Sequence, residues 1–169
     1  MNAQELREKQ APLKETYKSN PDEAVWNLHA EATLGTDISC TVETDAGAVK
    51  AGLHPATGGD GSQACSGDML LEALVACAGV TLKSVATAMG INIKEGTVNA
   101  EGVLDFAGTL GVSREAPVGF KEVNMMFELD TDAEPQKLEK LIELTERYCV
   151  VYQTLKTSPD TSTSFSVSS

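Results

Sequence analysis

Basic residues are scarce in this chain, and they do not cluster. The 169 residues include 13 Lys and Arg against 25 Asp and Glu, so the formal net charge is −12. A surface that binds nucleic acid or an anionic membrane concentrates Lys and Arg, and the sequence contains no basic run. We therefore expect neither nucleic acid nor a membrane as a partner. The acidic balance favours solubility.

Aromatic residues and long apolar runs are also scarce. Aromatic residues make up 5% of the chain, so the core must consist mainly of Leu, Val, Ala and Met. The first residues are charged and lack the apolar stretch of a secretion signal. The longest apolar stretch, residues 69–80, contains Glu72 and lies between Asp68 and Lys83, whereas a transmembrane helix needs about 20 mostly apolar residues. We predict a cytoplasmic protein in which this stretch is a buried helix.

Paired cysteines are absent as well. The cysteines are Cys40, Cys65, Cys77 and Cys149, and no two of them form a C-x-x-C motif. Without a secretion signal, we expect free thiols rather than a disulfide framework. Cys40 fits the core of a strand, and Cys65 is an accessible position before a helix. A cysteine in the middle of an apolar helix, such as Cys77, is usually a small core residue.

Hydrophobic periodicity predicts a small domain of mixed helices and antiparallel strands. The helix that Ser66 can cap and that runs to about Met89 is apolar nearly all round, with Gly90 as its stop, so we expect it to be central and buried. A partner subunit could cover what one chain leaves open. Cys149 continues the inner face of the second long helix. The predicted segments are a surface helix in residues 1–20, a domain in residues 21–169, strands near 24–34, 38–42, 48–51, 98–106 and 123–129, and a second long helix from Asp132.

Two cysteine segments resemble those of a known family. Residues 67–77, GDMLLEALVAC, closely resemble the "P-x-E/D-L-L-L-A-A-L-A-A-C" helix of the OsmC/Ohr family, which includes organic hydroperoxide resistance proteins. Residues 146–155, ERYCVVYQTL, resemble that family's second-cysteine segment, usually "C-P-V-x-x-x-L", with Val150 in place of the Pro. The resemblance covers roughly residues 24–169, and the two segments together are more specific than either alone.

The resemblance implies a fold and a chemistry. The fold would be α+β, OsmC-like, with antiparallel sheets wrapping two long central helices in an intertwined homodimer. The chemistry would be a thiol-dependent peroxidase that reduces organic hydroperoxides, with Cys77 as the peroxidatic thiol and Cys149 as the resolving thiol. A dithiol, either a lipoyl group or a thioredoxin-like protein, would restore the pair. Cys65 is an alternative resolving thiol. No nucleotide, flavin or haem motif is visible, so we expect no cofactor.

A peroxidatic thiol also needs a group that favours its thiolate, because a free Cys has a pKa of roughly 8.5. The family's best-known peroxidases use an Arg of the first strands, but residues 21–49 contain neither Arg nor Lys. We name Arg114 as the candidate cation, with Arg147 and His54 as further choices. For each of them a plain surface position is the alternative.

An orienting carboxylate is the remaining part of the expected site. Asp68 matches the family's acidic position at the start of the helix. Nine residues at about 100° each place Asp68 and Cys77 on opposite sides of a straight helix. The two could therefore meet only through a helix break or across subunits. The alternative is that Asp68 simply interacts with the helix dipole.

Three other functions remain open. The chain could bind a small apolar ligand without turnover. It could hold a metal through its cysteines with His54 or His29, although the spacings match no usual zinc pattern. It could also be a thiol hydrolase in which His54 serves as the base for a cysteine.

Overall fold

A computed structural model describes residues 1–167 of the chain. The elements form an α+β fold with a three-stranded and a two-stranded antiparallel sheet. Short 3-10 turns occur at Pro21–Ala24 and Pro55–Thr57. The helices and strands are α1 (Ala3–Ser19), β1 (Ala32–Leu34), β2 (Ser39–Val42), β3 (Val49–Gly52), α2 (Ser66–Met89), β4 (Ile93–Val103), α3 (Phe106–Thr109), β5 (Glu122–Thr131), α4 (Pro135–Tyr148) and α5 (Val150–Lys156).

The first sheet, formed by β1, β2 and β3, has little covering. Its register pairs Leu34 with Cys40, and Cys40 with Ala51. All three residues of β1 are exposed, and the apolar residues that precede it lie in extended chain rather than in the longer strand that we predicted. A parallel bridge between Ala51 and Ala64 ties β3 to the segment leading into α2.

The second sheet, formed by β4 and β5, packs against helices. Its register runs from Ile93 opposite Thr131 to Val103 opposite Glu122. Exposed and half-buried residues alternate along β5, as the period of a strand with one covered face requires. Gly102 lies against Phe120, and a Cβ at this position would collide with the ring. The covered face contributes Val98, Ala100, Val123, Met125 and Phe127 to the core.

Helix α2 spans Ser66–Met89, so it ends at the predicted residue but begins at Ser66, which was predicted to be its cap. Gly90 ends it in the left-handed region at φ 70°, where its N–H bonds to the Ala86 and Thr87 carbonyls. The cap at its start is Cys65, and Ser66 is the first helical residue. The buried residues lie four apart and alternate in size: Leu74, Ala78, Leu82 and Ala86.

A single chain buries only one stripe of α2, and cover of the rest by a partner subunit stays a prediction. The side opposite the buried stripe is open, and Val80 is 73% exposed. Leu70, Ala73 and Ala76 are also exposed. The length and hydropathy of α2 would fit a membrane span, but core helices of soluble proteins meet the same criterion.

Helix α4 begins at Pro135, three residues after Asp132, and buries Leu141 and Thr145. Cys149 both ends α4 and begins α5, because its extended backbone, at φ −75° and ψ 108°, interrupts the helix. Its N–H donates to the Thr145 carbonyl at 2.9 Å, and its own carbonyl accepts from the Gln153 N–H at 3.0 Å. The chain therefore bends at Cys149 without leaving its backbone groups unpaired.

Candidate active site

Cys77 and Cys149 meet between α2 and the α4–α5 bend. Cys77 directly precedes Ala78 at the edge of the buried stripe of α2 and is half-buried. Cys149 is completely buried and belongs to one cluster with Leu74 and Ala78, against which Cys77 packs. Both thiols are free. The second sheet closes this cluster from the other side.

The environment of Cys77 favours its thiolate. Burial is the largest single influence on its pKa and raises it, but four hydrogen bonds together outweigh burial and lower the pKa below the ordinary value. Two of the donors are the backbone N–H groups of Val151 and Val150, at the start of α5. The others are the Cys149 thiol and the Thr81 hydroxyl. All four donors are neutral.

The environment of Cys149 has the opposite effect. Burial is the main cause that raises the pKa of this thiol. The nearby N–H groups of Tyr152 and Val151 oppose the rise, whereas the hydrogen bond to Cys77 and the negative charge of its thiolate add to it. Cys149 therefore keeps its proton and donates it in a hydrogen bond to the Cys77 sulfur. The two neighbouring thiols are inequivalent in charge and in exposure.

A cavity of about 530 Å³ lies beside the thiol cluster. Leu74, Val123, Met125 and Tyr152 line it and also belong to the cluster or pack against it. Burial, together with the charge of Glu146 and a hydrogen bond to it, raises the pKa of Tyr152, so its phenol stays protonated. The walls are mostly apolar, with charged side chains such as Lys121 and Lys156 at the border.

The structure does not bring Asp68 or Arg114 to the thiols of its own chain. Asp68 is exposed in the first turn of α2, about 13 Å along the helix axis from Cys77. Arg114 is exposed in the loop between α3 and β5. Neither residue contributes to the pKa of either cysteine. Their catalytic roles stay predictions.

Arg147 and His54, the other candidate cations, lie against aromatic rings. The Arg147 guanidinium lies 5.5 Å from the centre of the Tyr148 ring. The His54 ring stacks on Phe106 at 4.9 Å and lines a separate cavity of about 400 Å³ with Cys65. Neither residue acts on the pKa of Cys77.

The environment of His54 disfavours the hydrolase alternative. Its Nδ1 accepts a hydrogen bond from the Ala56 N–H at 3.0 Å. A neutral imidazole that accepts at Nδ1 carries its proton on Nε2, so no free lone pair is left to act as a base. Across residues 1–167, no three His, Cys, Asp or Glu side chains converge as metal ligands.

Three donors to Cys77 were not anticipated from the sequence. Thr81 lies four positions after Cys77, so helical spacing could have identified it. The N–H groups of Val150 and Val151 point to Cys77 only because the helix breaks at Cys149. No glycine or proline marks that break.

Comparison with known proteins places the chain in a family. The model of the OsmC family, described as OsmC-like protein, matches residues 59–164. An OsmC-like protein from Mycoplasma pneumoniae is 20% identical, with 79% of this chain and 89% of that chain covered and a TM-score of 0.66. An organic hydroperoxide resistance protein from Elizabethkingia anophelis is 19% identical, with 79% and 91% covered and a TM-score of 0.62.

A further similar structure is an organic hydroperoxide resistance protein OsmC from Legionella pneumophila, 19% identical, with 79% and 91% covered and a TM-score of 0.60. No curated protein sequence matches the chain. The structural similarities support the predicted α+β, OsmC-like fold, whereas the intertwined homodimer stays a prediction. Because the family model matches more than half of its residues, the chain belongs to the OsmC family.

Proposed function

We propose that the chain is a thiol-dependent peroxidase that reduces organic hydroperoxides through Cys77 and Cys149. The observation that carries this proposal is the inequivalence of the two thiols. Cys77 is half-buried with a lowered pKa, and the adjacent Cys149 is fully buried with a raised pKa. Reactive cysteines are partly exposed and stabilised as thiolates, and Cys77 meets both conditions.

The first step is attack of the Cys77 thiolate on the outer oxygen of the hydroperoxide. An S–O bond forms, the O–O bond breaks, and the alkoxide leaves as an alcohol after it takes a proton. Cys77 is oxidised to a sulfenic acid. The mostly apolar cavity that shares Leu74 with the thiol cluster suits the organic part of such a substrate.

The second step uses the proton and the sulfur of Cys149. Once Cys77 is a neutral sulfenic acid, burial still raises the pKa of Cys149, but the smaller contribution from the negative charge of Cys77 is gone. Cys149 then loses its proton, and its sulfur attacks the Cys77 sulfur. Hydroxide leaves and takes that proton as water, so that a Cys77–Cys149 disulfide remains. An external dithiol, lipoyl or thioredoxin-like, reduces it through two thiol–disulfide exchanges.

The relatives support this proposal at the level of the family. Two of the similar structures are described as organic hydroperoxide resistance proteins. At about 19% identity they establish the shared fold, and the reaction of this chain is inferred from its own thiols.

We also propose that the protein is a cytoplasmic homodimer. One side of α2 and the first sheet expose apolar residues, such as Val80 and Leu34, that a second copy would cover. In a homodimer, Asp68 and Arg114 of one chain could serve the thiols of the other. Sedimentation of the protein measures the dimer directly.

The experiment that tests the reaction adds cumene hydroperoxide to the reduced protein and follows each cysteine by mass spectrometry. We expect rapid formation of a Cys77–Cys149 disulfide in the wild type, a trapped sulfenic acid in Cys149→Ser, and neither product in Cys77→Ser. Turnover with dihydrolipoamide should require both cysteines. Slow oxidation spread over all four cysteines would contradict the proposal.

A second candidate function is binding of a small apolar ligand without turnover. It is favoured by the absence of a cationic side chain among the groups that lower the pKa of Cys77. It predicts that an apolar probe binds in the cavity of about 530 Å³ while Cys77 reacts with cumene hydroperoxide no faster than a free thiol. The time course of disulfide formation distinguishes the two functions.

A further inference from the structure

The break between α4 and α5 leaves the Glu146 carbonyl without its ordinary helical partner. In a continuous helix this carbonyl would accept from the N–H four residues later, which belongs to Val150. The extended backbone of Cys149, at ψ 108°, makes Val150 the first residue of α5 instead. Within residues 1–167, the Val150 N–H makes no bond to the Glu146 carbonyl. Because Glu146 is half-buried, its carbonyl needs another donor.

Gln153, the fourth residue of α5, supplies that donor. Its side-chain Nε2 donates to the Glu146 carbonyl at 2.8 Å. Its backbone N–H donates to the Cys149 carbonyl at 3.0 Å. One residue of α5 is therefore bonded both to the last turn of α4 and to the residue at the break.

The residue types at the break would also allow one continuous helix. A proline at position 150 could not donate to the Glu146 carbonyl and would force an interruption, but this chain has Val150. The Gln153 amide takes the carbonyl to which Val150 would donate if the helix continued. The bond therefore favours the broken form over the continuous one.

The two sides of the break are held in different ways. On the inner side, Cys149 is fully buried in one cluster with Leu74 and Ala78 of α2. On the outer side, Cys149 and Gln153 line a cavity of about 420 Å³. A cavity offers no side chain to pack against, so the outer side of the break depends on hydrogen bonds.

We propose that Gln153 is a positioning residue whose side-chain amide holds the α4–α5 break and so keeps Cys149 beside Cys77. The inference rests on the proposed peroxidase function and deepens it, because it names the group that arranges the second thiol for disulfide formation. Gln153 acts through Cys149 and takes no part in the chemistry itself. Its loss should make the approach of the two sulfur atoms less frequent by roughly fivefold, as expected for a single hydrogen bond.

The first experiment measures, without peroxide, how readily the two thiols form their disulfide. The full chain is equilibrated with glutathione and glutathione disulfide, which is reduced to two thiols as Cys77 and Cys149 are oxidised to a disulfide. Mass spectrometry quantifies that disulfide. Gln153→Met keeps the length and the helix propensity of the side chain but removes the donor. We expect the equilibrium constant for the disulfide to fall by roughly fivefold in this variant.

Two further variants separate the hydrogen bond from other effects of the substitution. Gln153→Lys keeps a donor on a long side chain, and a Lys can bond to the last carbonyls of a helix, so it should restore the wild-type equilibrium. Thr154→Val is the matched control, because the Thr154 hydroxyl donates to the Val150 carbonyl at 2.9 Å, within α5. This variant should keep the wild-type equilibrium.

Three results would overturn the inference. The first is a Gln153→Met equilibrium constant equal to that of the wild type. The others are a Thr154→Val constant or a Gln153→Lys constant that falls as much as that of Gln153→Met. Gln153 is exposed, so each variant should fold, and circular dichroism checks this.

The second experiment uses cumene hydroperoxide and separates this inference from the proposed function. Conversion of the Cys77 sulfenic acid to the disulfide has a rate constant that does not depend on how fast the sulfenic acid forms. We expect this constant to be roughly fivefold lower in Gln153→Met. If the wild type does not react with peroxide while the glutathione equilibrium still shifts, only the peroxidase proposal fails. If the wild type reduces peroxide and Gln153→Met matches it in both experiments, only the role of Gln153 fails.

Discussion

The two sheets of the chain differ in what covers them. The second sheet packs one face on α2 and on the thiol cluster, so exposed and half-buried residues alternate along β5. In the first sheet, β1 is exposed at every position, and the sheet is joined to the rest by its edge at Ala51. The comparison shows that one chain covers the second sheet with helices but leaves the apolar residues around its first strand exposed.

The largest expected effect is on peroxide turnover, which should depend on Cys77 beside the second sheet and not on Cys40 in the first sheet. Cys77→Ser should reduce peroxide turnover by at least about a thousandfold, because it removes the nucleophile. The matched control is Cys40→Ser, a change of the same chemistry in β2 of the first sheet, which should leave turnover within about twofold of the wild type. Steady-state rates with cumene hydroperoxide and dihydrolipoamide check both. Equal losses would mean that the chemistry is not confined to the second region.

Two leucine-to-alanine variants, one in the buried core and one in the first sheet, should differ in their free energy of unfolding. Leu141→Ala should lower the free energy of unfolding by about 2–5 kcal/mol, because Leu141 is fully buried and its loss leaves a cavity in the cluster with Leu82 and Ile93. Leu34→Ala should cost less than about 0.5 kcal/mol in the monomer, because this side chain on β1 is 85% exposed. Urea denaturation at a low protein concentration measures both. A large loss for Leu34→Ala there would show that the first sheet is covered within one chain.

The proposed homodimer would cover exposed apolar residues near the first sheet. Trp26, just before β1, is 75% exposed. If a second copy covers it, Trp26→Ala should weaken the dimer by about 2 kcal/mol, or about thirtyfold in the dissociation constant. Sedimentation over a range of concentrations measures this change. Val112→Ala, in the loop before β5, is the control at a comparably exposed apolar residue. A wild type that sediments as a monomer throughout would refute the homodimer.

The smallest expected effect is a difference in alkylation rate between Cys77 and Cys149. As pH rises, Cys77, with its lowered pKa, should ionise before Cys149, whose pKa burial raises. At about pH 8, iodoacetamide should therefore modify Cys77 severalfold faster than Cys149. In guanidinium chloride the fold is lost and the two rates should converge. A difference that persists in denaturant would trace to local sequence rather than to the site.

Local patterns predicted the parts of the fold that depend on local interactions. Gly90 marked the end of α2 correctly, the predicted cap Ser66 lies one residue after the observed cap, and alternation predicted β5 to within two residues at each end. The first strand was predicted too long, because Val25, Trp26 and Leu28 have strand-like side chains but no strand pairing within residues 1–167. Strand formation needs such a partner, and one sequence does not show it.

The candidate site was predictable only in part, for a similar reason. The resemblance of two segments drew attention to Cys77 and Cys149, which the structure brings together. The donors Val150 and Val151 depend on the backbone angles of Cys149, which tertiary packing sets and no residue type signals. Arg114 was chosen by its charge and Asp68 by its match to the family's acidic position, and the single chain leaves both exposed.

The alternation of Leu and Ala along α2 has a consequence for how the redox pair is spaced. Ala78 is the small residue of the stripe that shares a cluster with Cys149. Its single methyl group acts as the spacer that determines how closely the α4–α5 bend can approach the helix. A bulkier residue would press on the buried Cys149 and hold the two sulfur atoms apart. The distance between the Cys77 and Cys149 sulfur atoms therefore depends on the size of Ala78, a residue that takes no part in the reaction.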